Sequence, residues 1–170
     1  MLENNLLKLL NDQVTKEFYS AYFYLDIHNY FISKGLDGFG NWFYIQTQEE
    51  KDHAMLFLKY VEINSEDITL GNIPAPSLNF SDISTPLETT LKHERGITAS
   101  INKIYEAAFS VKDFRTMQFL DWFVKEQGEE EKNTEDLVRK YELFGSDSKG
   151  LYLLDSELKT RVYTPATLVL

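Results

Sequence analysis

Glu50-Lys51-Asp52-His53 sets a carboxylate and an imidazole three residues apart. On a helix, side chains at that spacing leave the same side and can share one metal ion. Alone the pattern is common and carries little. It gains weight from what helical steps of three and four pick out elsewhere. One such stripe runs Leu7, Leu10, Val14, Glu17, Ala21, Tyr24, His28, Phe31, and the stripe that holds the motif runs Phe43, Gln46, Glu50, His53, Phe57, Tyr60. A third runs Leu87, Leu91, Glu94, Thr98, Ile101, Tyr105, Ala108, and a fourth Leu120, Phe123, Gln127, Glu130, Thr134, Leu137, Tyr141, Phe144. Stripes of this kind face the core of a bundle. Each is interrupted near its middle by a carboxylate: Glu17, Glu50, Glu94 and Glu130.

Mid-helix positions of packed helices lie at similar height, so the four carboxylates are expected to converge. An unpartnered buried carboxylate is costly, and no Lys or Arg occupies these inward positions. A single Glu reads more readily as an edge residue in water. Four at matched heights favour a cation between them. Four Glu with His53 form an oxygen-rich set that suits iron(II) or manganese(II), and would also accept zinc. Glu50 can bridge two ions, with Glu17 and His53 completing one shell and Glu94 and Glu130 the other.

Composition agrees by exclusion. The chain has 170 residues, with 17 Lys+Arg against 27 Asp+Glu and a formal charge of -10. That excess argues against nucleic acid and anionic membranes as partners. With no Cys, thiolate metal sites and disulfides are excluded, and only three His remain (His28, His53, His93). Carboxylates must therefore do most of any metal binding. The opening MLENNLLKLLNDQ has no secretory pattern, and nothing approaches the ~20 apolar residues of a membrane span. A cytoplasmic location is expected.

The elements that must position these side chains are helices over about residues 6–33, 41–63, 85–110 and 113–144. Gly35, Gly38 and Gly40 mark a turn after the first. Thr85 is expected to cap the third, with Pro86 at its first helical position and Glu88 completing a capping box. Asp113 is the expected cap of the fourth, and Gly145 its left-handed terminator. The segment between the second and third helices carries Pro74 and Pro76 and no helical period. Its length suits a crossover between two antiparallel hairpins. The domain reading is a bundle over 1–145, a short helix over 146–160 and a tail over 161–170.

These residues resemble the ferritin family, specifically the non-haem ferritins of bacteria. Glu17 with Tyr24, the run Gln48-Glu49-Glu50-Lys51-Asp52-His53, Glu94, and Phe123-Val124-Lys125-Glu126-Gln127-Gly128-Glu129-Glu130-Glu131 are similar to that family's helix motifs. Gly150-Leu151-Tyr152-Leu153-Leu154-Asp155 resembles the start of its short fifth helix. The resemblance implies an all-α, ferritin-like four-helix bundle with a long crossover and a short C-terminal helix. It implies iron storage with ferroxidase activity: iron(II) is oxidised by dioxygen or hydrogen peroxide at a dinuclear centre, and ferric oxide mineral collects in a homo-oligomeric shell of twenty-four subunits with octahedral symmetry. Tyr24 would support the centre by hydrogen bonding and Gln127 would line its second side. Glu49, Glu126 and Glu129 would hold a third iron; by chemistry alone that trio reads equally as a solvated face. Two departures sort the relatives. Gln127 and Glu130 stand where a second Glu-x-x-His would be, and Lys51 follows Glu50 where haem-binding relatives carry Met, so no haem is expected.

Other residues keep plainer readings. His28 is expected to be a hydrogen-bonded core histidine, and His93, about 100° around the helix from Glu94, a surface or supporting group. Trp122 is read as packing. Gly128 costs about 1 kcal/mol against Ala in a helix, without an evident reason in the sequence. A di-iron oxidase acting on an organic substrate and a non-catalytic acidic bundle remain the alternative function classes.

Overall fold

Thirty consecutive residues without Gly or Pro make the first helix, α1, which spans Asn4–Ser33. The computed structural model describes residues 2–76 and 78–170. After α1 come α2 (Asp37–Ile63), α3 (Ser84–Ser110), α4 (Phe114–Phe144) and a short α5 (Ser148–Leu158). No strand occurs among the described residues. None of the helices is long and apolar enough to cross a membrane, among the described residues.

Side-chain pairs between helices give their directions. Gln13 meets Ser100 while Tyr24 meets Glu94, so α1 and α3 are antiparallel. Tyr60 meets Thr116 while Gln46 meets Glu130, so α2 and α4 are antiparallel too. With α1–α2 and α3–α4 as hairpins, α2 and α3 run parallel, and the irregular 64–83 segment must return along the length of the bundle. It is tied to α1 on the way. Asn11 Oδ1 accepts from the Thr69 amide at 2.9 Å, and Thr15 Oγ1 accepts from the Gly71 amide at 3.0 Å.

The helix ends correct several expectations. Gly35 does take the left-handed conformation, at φ 73°, but Gly38 and Gly40 lie inside the first turn of α2. They are small for steric reasons. A Cβ on Gly38 would stand 1.7 Å from the Asp155 carbonyl oxygen of α5. No local side chain caps α2. Asp155 does so from α5, its Oδ1 accepting from the Gly38 and Phe39 amides at 2.8 and 3.0 Å. Asp82, not Thr85, caps α3: its Oδ1 accepts from the Thr85 amide at 2.9 Å and from the Ser84 and Thr85 hydroxyls. Those bonds hold its carboxyl well below the usual range. Asp113 caps α4 as expected, accepting from the Thr116 amide at 3.0 Å. Gly145 is not left-handed, with φ -75°. There a Cβ would meet the Tyr141 ring at 2.3 Å, so the ring's close packing selects glycine.

The core divides into two apolar clusters. One gathers Leu6, Leu10, Phe57, Ile101, Phe119 and Phe123. The other gathers Ile27, Phe31, Phe39, Phe43, Leu87 and Leu137, and it receives Leu154 and Leu158 from α5. An 11-residue helix is too short to be stable alone, so this docking is what orders α5. Between the clusters lies a buried polar layer.

Candidate metal centre

Glu17, Glu50, His53, Glu94, Gln127 and Glu130 are all buried, none more than 4% exposed. The four stripes thus point inward and place their carboxylates in one layer. Among the described residues no Lys or Arg is buried with them.

Glu17, Glu50 and His53 come closest together, each offering a ligand atom within 4.8 Å of the others. His53 Nδ1 lies 3.8 Å from Glu50 Oε2. Gln13 Nε2 donates to Glu17 Oε1 at 2.8 Å and is itself held by the Ser100 hydroxyl, 2.6 Å from its Oε1. Glu17 Oε2 and Glu50 Oε2 accept no hydrogen bond among the described residues. Buried polar atoms are rarely left so. Burial, then the neighbouring Glu50 charge, pushes the Glu17 carboxyl well above the ordinary range. Burial would lower the His53 imidazole, but the Glu50 contact and the charges of Glu50, Glu17 and Glu130 outweigh it and raise the imidazole to about 10. Two carboxylates facing one another with orphaned oxygens, beside an imidazole, are a donor set that fits a divalent cation.

Glu94 and Glu130 are held differently. Tyr24 donates its phenol proton to Glu94 Oε1, and Gln127 Nε2 donates to Glu94 Oε2 at 3.1 Å. Gln46 Nε2 donates to Glu130 Oε2 at 2.8 Å. These two carboxylates are not part of the Glu17–Glu50–His53 group; their oxygens accept from amide and phenol donors. Burial raises Glu94 to about 7. It pushes Glu130 well up too, reinforced by the charges of Glu94 and Glu50.

Glu49, Glu126 and Glu129 share the wall of a cavity of about 270 Å³ with His53. Glu49 and Glu126 are half-buried and Glu129 is exposed. Burial is the main cause that raises the first two carboxyls. Trp122 stands edge-on to the His53 ring at 5.5 Å.

The other two histidines support the scaffold. His28 is half-buried, its Nδ1 2.9 Å from the Gly40 carbonyl. His93 stacks on Phe23 at 4.4 Å, with Nε2 2.8 Å from the Ser20 hydroxyl, and burial lowers its imidazole.

Two residues with a part in the layer escaped sequence reasoning. Gln13 stands one turn before Glu17, and Gln46, although on the inward stripe, had no role. Each amide is one turn before a carboxylate, and that spacing was the available signal. A third, Arg161, lies beyond the helical pattern and left no signal.

The same architecture recurs in known proteins. The ferritin-like domain model matches residues 7–144. The chain is 37% identical over 159 residues to a bacterial non-heme ferritin of Campylobacter jejuni, covering 94% of this chain and 95% of that one. It is 35% identical to a probable bacterial non-heme ferritin-like protein of Haemophilus influenzae, over 93% of this chain and 96% of that one. Among solved structures, the open-pore ferritin of Archaeoglobus fulgidus superposes with a TM-score of 0.92 at 38% identity, covering 95% of this chain and 98% of that one. The chain belongs to the ferritin family of iron-storage proteins.

Proposed function

We propose that the protein is a ferroxidase as well as a store. Iron(II) enters as substrate, a pair of ions is oxidised by dioxygen or hydrogen peroxide in the carboxylate layer, and the ferric product passes on to mineral. Glu17, Glu50 and His53 would hold one ion, and Glu94 and Glu130 the other, with Glu50 between them. Tyr24 and Gln127 would keep Glu94 oriented. Glu49, Glu126 and Glu129 would take a third ion. The observation that carries this reading is the buried Glu17–Glu50–His53 group, with two carboxylate oxygens that no hydrogen bond among the described residues satisfies.

The chain's own part in the reaction is largely to manage protons and charge. His53, protonated in the metal-free layer because of Glu50, must release that proton before its nitrogen can ligate. Burial raises the Glu17 carboxyl and so opposes the ionisation that ligation needs. Fixed oxygens at the centre favour the oxidised ion's higher charge, while the apolar clusters above and below exclude water.

Storage requires a container, and the surface suits assembly. Phe109, Phe114, Leu143, Tyr152 and Leu153 are each more than half exposed, apolar surface of the kind that subunit contacts cover. The proposed container is a shell of twenty-four identical subunits, with 1–145 as the catalytic unit and 146–160 as a contact element. Haem has no part in this reading, since exposed Lys51 follows Glu50.

Aerobic addition of iron(II), followed by light scattering and metal analysis, tests the proposal. Rapid oxidation of about two ions per chain is expected, then slower mineral growth in a large particle. Unchanged oxidation kinetics in Glu50→Ala, or a monomer or dimer under all conditions, would overturn it.

A further inference from the structure

The chain does not leave the bundle after α5. Asn41 Nδ2 donates to the carbonyls of Leu158 at 3.3 Å and Arg161 at 3.0 Å, turning the last ten residues back along α2. The Arg161 guanidinium lies over the Trp42 indole, 4.8 Å from the ring centre. Its Nη1 donates to the Trp42 carbonyl at 3.3 Å and its Nη2 to Glu49 Oε2 at 2.7 Å. Farther on, Tyr163 donates to Asp52, and Trp122 Nε1 donates across from α4 to Thr167 Oγ1 at 3.4 Å. Residues 164–167 thereby wall the cavity that Glu49, His53, Glu126 and Glu129 line from the other side.

Two of the three acidic residues there already face a cation, and the two pairs differ in kind. Lys125 and Glu129, 3.5 Å apart on successive turns, are 80% and 59% exposed. Such a pair is worth little. Arg161 and Glu49 are 24% and 20% exposed. The guanidinium is fixed there by a carboxylate, a carbonyl and an indole face, three contacts that its planar shape serves well. A divalent ion on Glu49 would bring two positive groups to one carboxylate. One of them must leave.

We infer that Arg161 is a built-in competitor at the third metal position: it holds Glu49 until a divalent cation bound by Glu49, Glu126 and Glu129 displaces it, and the displacement loosens the 161–167 strap over the cavity. The inference rests on assigning a third ion to those carboxylates. Its consequence is that an ion there binds more weakly than the bare trio would hold it, which suits a position for transit rather than residence.

The test is anaerobic iron(II) titration of the assembled protein by calorimetry, with hydrogen exchange of 161–167 followed at two and three equivalents. In Arg161→Gln the third equivalent should bind about fivefold tighter, the scale of one partly exposed ion pair. Arg161→Lys, which keeps the charge but not the planar contacts to the Trp42 carbonyl and indole, should fall between Arg161→Gln and the parent. Exchange across 161–167 in the parent should quicken as the third equivalent binds. Equal third-ion affinity in Arg161→Gln and parent, or exchange indifferent to the third ion, overturns the strap. Glu126→Ala keeps this distinct from failure of the site: loss of its third equivalent upholds the assignment, whereas a third equivalent that persists there, or a parent that binds only two, overturns assignment and strap together.

Discussion

Glu17, Glu50 and His53 come from one hairpin and bring their ligand atoms together, with one oxygen of each carboxylate lacking a hydrogen-bond partner among the described residues. The other Glu17 oxygen is held by Gln13. Glu94 and Glu130 come from the other hairpin and meet a phenol and two amides. Both halves must keep negative charge buried without Lys or Arg. The first sets one amide, Gln13, on Glu17 and an imidazole raised to about 10 beside its carboxylates; the second has neutral donors alone. A protonated imidazole gives way to a metal ion by losing its proton, whereas an amide donor must be turned aside. In the proposed centre the first half would therefore bind first, and the second would adjust. The backbone shows the same contrast. Gly96 and Gly128 stand two residues from Glu94 and Glu130, with open space where a Cβ would go. The mid-helix turns around Glu17 and Glu50 have no glycine.

The largest expected effect breaks the first half outright. Glu50→Ala removes the carboxylate that the proposed centre sets between its two ions and should abolish the fast phase of iron(II) oxidation in stopped-flow, with helical circular dichroism retained. Next comes the pH response of the metal-free protein. Glu94 has its carboxyl raised from an ordinary 4.5 to about 7, so its contribution to stability is full below 4.5 and is lost as pH rises through 7. That loss amounts to about 3 kcal/mol by linkage. Burial shifts Glu17 and Glu130 in the same direction. His53, raised from an ordinary 6.5 to about 10, holds its full contribution only below 6.5 and loses it as pH rises from there through 10, which extends the fall beyond pH 7. Calorimetric melting temperatures should therefore fall between about pH 4.5 and 7 without metal, and a bound divalent ion should flatten that slope. A slope unaffected by metal would mean that the layer is not the binding place.

Smaller effects sharpen the contrast. Gln46→Ala leaves Glu130 Oε2 without its donor and should cost the metal-free protein about 1–3 kcal/mol in chemical denaturation. Uptake of a first divalent ion by Glu17, Glu50 and His53 should be unchanged. The smallest concerns the glycines. Gly96→Ala and Gly128→Ala should each stabilise by up to about 1 kcal/mol, and slower oxidation in either would show that the second half needs its looser backbone.

What was legible in the sequence follows from distance along the chain. Glu17, Glu50, Glu94 and Glu130 could be placed because a stripe of period near 3.6 is a local property of each helix, as is the Asp113 cap. Asp82 was overlooked because Thr85-Pro86 offered an equally good local cap, and only the actual path of the chain decides between them. Gly38 and Gly145 look like conformational signals in the sequence, but contact with Asp155 and Tyr141 is the reason for each. Asp155 capping a helix that begins more than a hundred residues earlier, and Arg161 pairing with Glu49, leave no periodic trace. Gly128 now has space above it but still no positive reason in the single chain.

The partition of the layer between hairpins has a mechanical consequence. Residues 64–83 are the sole covalent link between the α1–α2 and α3–α4 pairs, and the chain has no Cys to supply another. An ion pair bridged by Glu50 would be a reversible rivet, closing a loop that no disulfide can close. A single protease cut in 64–83 makes the rivet visible. The nicked protein should come apart readily in denaturant when stripped of metal, and hold together when loaded.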